Sequence, residues 1–234
     1  MKAKKFANSS LINWICKLKK KGYSVLILIC GQQRSGKSMT SLCIAEALKL
    51  RNIVDFDIEK DLKHSVEDFI KWHLDGNTNR LIITDEAESV LNASEFWSNF
   101  NIAYEKIIST QMYLGNIYIV ILPMAMRLSK SNRRFVDIKI EMINKGVCKW
   151  NRIIKYHGNM GFNPKWRSII ETPTISIINL PRLPSEIVEA YKKIEKDDKK
   201  KILENIAKNI GIDKDRDKYM AYLNKIAEKG EIAI

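Results

Sequence analysis

No stretch of this 234-residue chain reaches the roughly 18 consecutive apolar residues that a membrane-spanning helix needs. The amino-terminal residues also lack the pattern of a secretory signal. Both absences set the expectation of a cytoplasmic protein without an intrinsic membrane span, with peripheral contact to a membrane left open. Four cysteines, Cys16, Cys30, Cys43 and Cys148, are scattered and form no CxxC pair. That argues against a zinc centre and for a reducing compartment. His64, His73 and His157 show no ligand spacing and are read as structural or surface residues. Internal repeats and low-complexity tracts are missing as well, so no repeat array is expected.

What is present is ordinary for a globular chain: 45% apolar and 29% charged residues, enough length for one substantial domain with a large core. The balance of charge is not ordinary. Forty Lys and Arg against 27 Asp and Glu leave a formal net charge of +13. Such an excess fits a polyanionic partner, nucleic acid first and an anionic membrane surface second, or a Lys-rich solvated surface.

One stretch carries specific chemistry. Val25 to Cys30 is apolar throughout, as expected of a strand buried on both faces of a parallel sheet. Gly31 follows, then Gln32, Gln33, Arg34 and Ser35, then Gly36-Lys37-Ser38, then a stretch to about Leu50 free of Gly and Pro. This is the full G-x-x-x-x-G-K-[ST] pattern in its strand-to-helix context. Gly31 and Gly36 allow a tight turn and a close approach of backbone N–H groups to phosphate oxygens. The helix start adds partial positive charge. Lys37 is expected on the β- and γ-phosphates of ATP and the Ser38 hydroxyl on Mg²⁺. The contacting segment then runs from Gly31 to Met39.

A second motif follows. Arg80 to Thr84 reads as a strand and ends in Asp85-Glu86. Acids at the carboxyl end of a parallel strand lie where ligands collect. Asp85 is expected to support the metal, and Glu86 to orient and activate an attacking water, with Glu88 a weaker alternative. A hydrolytic base separates an ATP hydrolase from a nucleotide kinase. Arg127, Lys130, Arg133 and Arg134 follow the next strand, Ile117 to Leu122. They are candidates for a γ-phosphate sensor, for an arginine finger offered to a neighbouring subunit, or for a DNA-facing surface.

The remaining elements read as follows. Residues 1–22 form a basic amphipathic helix, packed on the domain edge or touching DNA phosphate or membrane. A second strand is expected around Ile53 to Phe56. Ser65-Val66-Glu67-Asp68 resembles a capping box that opens a helix to about Leu74. Ser94 to Leu114 reads as a long helix stopped by Gly115-Asn116. Val136 to Met142 alternates and turns at Asn144-Lys145-Gly146 into a returning strand from Val147 to Tyr156, an antiparallel edge hairpin. Gly158 to Thr172 reads as loop and Thr174 to Ile178 as a strand. Helices are expected at 185–209 and 214–229. The expected fold is α/β, a P-loop NTPase with a mainly parallel central sheet flanked by helices. Residues 23–184 would form the ATPase domain and 185–234 a helical appendage.

With these motifs in place, the chain resembles the HerA–FtsK class of P-loop ATPases over roughly residues 22–184. It is most similar to the small versions of archaeal viruses and mobile elements, related to genome-packaging ATPases and Zot-like proteins. The resemblance matches Lys37 and Ser38 to the nucleotide-binding pair, Asp85 to the metal-supporting acid and Glu86 to the catalytic glutamate. A polar sensor often ends the strand after the acidic motif in that class; here the strand ends Ile-Leu-Pro, and Gln111 lies before it. The resemblance implies a homo-oligomeric ring, commonly a hexamer, that pumps double-stranded DNA. In a virus this would take place in the host cytoplasm, with a capsid or membrane protein as a further partner. A Zot-like assembly or secretion ATPase at a membrane shares the site. A small-molecule kinase is disfavoured by Asp85-Glu86, and a partition ATPase by Gln at positions 32 and 33, where a second Lys would be expected.

Overall fold

Six consecutive buried residues, Val25–Cys30, form strand β1 inside the sheet. The computed structural model describes residues 3–22, 24–85, 102, 105–125, 128, 130–155, 169–171 and 175–209. Its strands are β1, β2 (Leu62–Lys63), β3 (Leu81–Thr84), β4 (Ile117–Leu122), β5 (Ile138–Asn144), β6 (Val147–Lys155), β7 (Ile169–Glu171) and β8 (Ser176–Asn179). They lie in the order β2-β3-β4-β1-β5-β6-β7, with β8 also paired to β6. From β2 to β5 every pairing is parallel; β6 runs antiparallel to β5, β7 and β8. The α/β class and the antiparallel edge hairpin are therefore as the sequence led us to expect.

Helices cover both faces, and the strand residues sort between them by the period of two that a pleated strand imposes. Val25, Ile27 and Ile29 of β1 join one apolar cluster, and Leu26 and Leu28 the other. The first cluster is closed by α1 (Ala3–Ala7), α2 (Ser10–Lys19) and α3 (Lys37–Lys49). The second is closed by Phe69 and Trp72 of α5 (Val66–Leu74), by Ile108 of a helical stretch α6 (105–111), and by Leu128 and Val136. Fully burying each such aliphatic side chain contributes about 1.5–3 kcal/mol.

The basic amino-terminal segment belongs to this core. Phe6, Leu11, Ile12 and Ile15 are at most 1% exposed, and the Ser9 side chain caps α2 by accepting from the Ile12 N–H. Lys4, Lys5, Lys17, Lys20 and Lys21 stay exposed, and Lys19 is half-buried. The Ser65 cap on α5 is present as read, accepting from the Asp68 N–H at 3.0 Å.

Two expectations are corrected. Ile53 to Phe56 is not a strand: it makes a single bridge, Asp55 to Arg80, and Asp57 then caps the short helix α4 (Ile58–Asp61). Val54 and Phe56 alternate because they are buried in the first cluster, not because they pair along a ladder. The strand beside β3 is instead the two-residue β2, too short to leave a periodic signal. The 158–172 segment, read as loop, contains β7 at Ile169–Glu171. Residues 214–229 and the first part of the 94–114 helix lie outside the described residues. Within that helix the described residue 102 and stretch 105–111 are helical, followed by a 3₁₀ turn, Met112–Leu114, and Gly115 at φ 67°.

A buried carboxylate fixes the base of β3. Asp61, fully buried, accepts from the Trp72 indole at 2.8 Å, from Arg80 Nε at 3.1 Å and Nη2 at 2.6 Å, and from the Asp57 N–H at 2.8 Å. Arg80 immediately precedes β3, so the anchor holds the strand that carries Asp85 at its other end. The final described helix, α8 (Ser185–Asn209), follows the short helix α7 (Lys130–Arg133) in the helix count. It docks through Ile187, Tyr191 and Ile194 on the first cluster.

Candidate functional site

The Gly31–Ser38 loop leaves β1 at its carboxyl end and enters α3. Gly31 sits at φ 153°, and a Cβ there would lie 2.8 Å from Met142 Cβ and 3.1 Å from Ser35 Oγ. Only a residue without a side chain fits. The Gly31 N–H donates to the Pro123 carbonyl at 3.3 Å, which ties the loop to the end of β4. Gly36 is the residue before α3, left-handed at φ 91°, and no side chain caps this helix start. Arg34, an exposed non-glycine residue, is also left-handed at φ 62°. Such a conformation costs of order 1 kcal/mol and marks segments whose shape is over-determined by their surroundings.

Two of the loop's polar groups, Lys37 and Ser35, turn inward. Lys37 Nζ donates to the Gly31 and Gln32 carbonyls at 3.0 and 2.9 Å. This folds the ammonium over the loop and leaves its third proton for another acceptor. Ser35 Oγ is buried without a protein partner. The uncapped helix start, the Lys37 ammonium and the orphaned Ser35 hydroxyl together make a donor-rich concavity, the chemistry that phosphate oxygens require. Gln32 and Gln33 are exposed at the tip, and Met39 packs partly on the first cluster.

Asp85 follows β3 and is only 7% exposed. Its N–H donates to the Lys63 carbonyl at 2.9 Å, which continues the β2–β3 ladder. Its Oδ2 accepts from the Tyr191 hydroxyl at 3.2 Å, and the Ser38 side chain lies near the same tyrosine oxygen. Ser38 and Asp85, far apart in sequence, therefore both lie beside one phenol. Burial first, and then the negative charge of Asp85, push the Tyr191 hydroxyl well above the usual phenol range, so it acts as a neutral donor. Tyr191 is the site residue that sequence reasoning missed. In the sequence it lies in the helix expected at 185–209, and nothing in the pattern marks its hydroxyl.

A hydroxyl and one carboxylate beside this donor-rich loop fit a Mg²⁺ that takes its other ligands from phosphates and water. Ser38 and Asp85 would hold it. Among the described residues no group of three or more His, Cys, Asp or Glu forms a protein-only metal cage.

The other candidates are distributed differently. Glu86, Glu88 and Arg127 lie outside the described residues. Arg133 and Arg134 end up at the amino end of β5, whose Ile138 is in register with Ile27, whereas the loop leaves the carboxyl end of β1. Arg134 pairs with Glu105 at 3.6 Å. The fold does not bring these two arginines to Lys37 of the same chain. Gln111 precedes β4, and β4 is parallel and in register with β1 from Val25↔Ile117; it therefore also lies at the far end of the sheet, about 16 Å or more from the loop at 3.3 Å per strand residue.

Beside the loop, at the carboxyl ends of β1, β4 and β5, a cleft of about 430 Å³ is lined by Gln32, Ser35, Met124, Lys139, Glu141 and Ile143 among others. In open α/β sheets this edge is where ligands bind. Among the described residues no helix is long and apolar enough to cross a membrane. No family model matches the chain, and no curated protein is significantly similar to it.

Proposed function

We propose that the chain is a Mg²⁺-dependent P-loop ATPase that powers translocation or packaging of double-stranded DNA, working as a homo-oligomeric ring. The observation that carries this reading is the Tyr191 hydroxyl, which donates to the buried Asp85 at 3.2 Å with Ser38 of the Gly31–Ser38 loop near the same oxygen. A chance G-x-x-x-x-G-K-S sequence would have no reason to share its end of the sheet with a buried acid at the end of β3, a parallel strand two places away.

In this reading the loop N–H groups and Lys37 bind and neutralise the triphosphate, while Ser38 and Asp85 hold the cation. Mg²⁺, when bound, offsets the negative charge that develops on the phosphate oxygens. Glu86 orients the water and takes up its proton. Arg127, Arg133 and Arg134 serve a neighbouring subunit or the DNA, which suits the placement of Arg133 and Arg134 away from their own loop. The net charge of +13 supports a polyanionic partner, and resemblance to the HerA–FtsK class supplies the choice of DNA.

Phosphate release by the purified chain, with and without double-stranded DNA, tests the reading. DNA should raise the rate, and the stimulation should fall steeply as salt rises. Particle mass with nucleotide bound should be a multiple of the monomer. A rate indifferent to DNA at low salt would overturn the translocase reading, and transfer of phosphate to a small acceptor would replace it with a kinase.

A further inference from the structure

Helix α8 is tied down on its way to the site. The Leu180 N–H donates to the Gly146 carbonyl at 2.8 Å, and the Cys43 thiol of α3 donates to the Pro181 carbonyl at 3.5 Å. The helix then lays Ile187, Tyr191 and Ile194, at the i, i+4, i+7 spacing of one face, on the first apolar cluster. Farther along, Asp198 lies 3.6 Å from His64 Nε2, next to β2. These contacts deliver the Tyr191 ring, 8% exposed, to the end of β3 and the start of α3.

The direction of the hydrogen bond follows from proton count. A carboxylate only accepts, so the single Tyr191 proton goes to Asp85 Oδ2. The Ser38 side chain lies near the same tyrosine oxygen. The bond engages one oxygen of Asp85 and leaves the other for a cation.

We infer that Tyr191 is a positioning residue of the cation site: its hydroxyl holds the Asp85 carboxylate, beside Ser38, in the orientation that Mg²⁺ requires. The inference rests on the ATPase reading above and extends it to a residue outside both motifs. It also gives α8 a role beyond packing, since the helix supplies a group to the nucleotide site.

The test compares the full chain with Tyr191→Phe, which keeps the ring and its packing. Equilibrium binding of ADP and of a non-hydrolysable ATP analogue is measured in EDTA and across a Mg²⁺ titration, together with the melting temperature. The expected result is unchanged affinity in EDTA, within about twofold, and a half-saturating Mg²⁺ concentration raised about tenfold, the equivalent of one lost hydrogen bond of about 1.4 kcal/mol. Asp198→Ala, which removes the second tether of α8 without touching the hydroxyl, should leave the Mg²⁺ requirement near wild type. An unchanged Mg²⁺ requirement in Tyr191→Phe would overturn the inference. So would a lowered requirement, which would make the hydroxyl a competitor of the cation, an equal loss of affinity in EDTA, or the same rise in Asp198→Ala. If the wild-type chain binds no nucleotide under any condition, it is the ATPase reading that fails.

Discussion

Met142 of β5 packs against Gly31 so closely that a methyl group on the glycine would lie 2.8 Å from its Cβ. The neighbour is set by strand pairing, since β5 runs parallel beside β1 with Glu141 opposite Cys30. The shape of the loop is thus dictated by the sheet beneath it. Gly31→Ala should destabilise the fold by about 1–3 kcal/mol and weaken nucleotide binding at least about tenfold. Because the clash is with Met142 Cβ, adding Met142→Ala should not rescue it. Urea unfolding and nucleotide titration of the single and double variants check this.

Glu86→Gln keeps size and removes the base. Turnover should fall by about 10²–10⁴ while nucleotide affinity stays within about twofold of wild type. Phosphate release measured beside equilibrium binding gives both numbers. Undiminished turnover would remove Glu86 from the mechanism.

The carboxylate of Asp61 has four donors around it and no exposure. Removing it leaves the Arg80 guanidinium and the Trp72 indole without their acceptor. Asp61→Ala should cost about 3–5 kcal/mol, the usual penalty for breaking one side of a buried ion pair. The midpoint of chemical unfolding reads this directly.

His73 introduces a pH dependence. Its ring stacks on Tyr118 at 5.7 Å and 6°, its Nδ1 lies 2.7 Å from the Phe69 carbonyl, and burial holds its pKa below the usual imidazole range. As pH falls through about 6.5, the unfolded chain takes up the proton before the native chain does. The contribution of His73 is therefore complete above that pH and is lost below it, at up to about 1.4 kcal/mol per pH unit until the native ring also protonates. His73→Phe should flatten the fall in unfolding free energy between pH 8 and pH 5.

How much of this was legible in the sequence varied by element. β1, the loop, α3, β3 with Asp85, β4 and the β5–β6 hairpin announce themselves, because buried parallel strands are continuous apolar runs and the glycines fall where the backbone needs them. Alternation at Val54 and Phe56 misled, since burial against a helix layer leaves the same trace as strand pairing. The two-residue β2 is held mainly by its neighbours. Tyr191 was the larger omission. Its contact with Asp85 depends on how α8 docks, and the helix stripe of Tyr191, Ile194 and their neighbours carries no sign of where the hydroxyl points. The placement of Arg133 and Arg134 at the amino end of β5 likewise depends on strand direction, which the residues do not state.

Mg²⁺-dependent release of phosphate from ATP by the wild-type chain and by Lys37→Ala tests the proposed function most directly. Lys37 sits over the loop on two backbone carbonyls and has no part in the apolar core, so the variant should keep its melting temperature. The expected result is release by the wild-type chain that EDTA stops and that Lys37→Ala reduces at least about a hundredfold. Equal rates for the two chains, or no release by the wild-type chain in Mg²⁺ with DNA present, would contradict it.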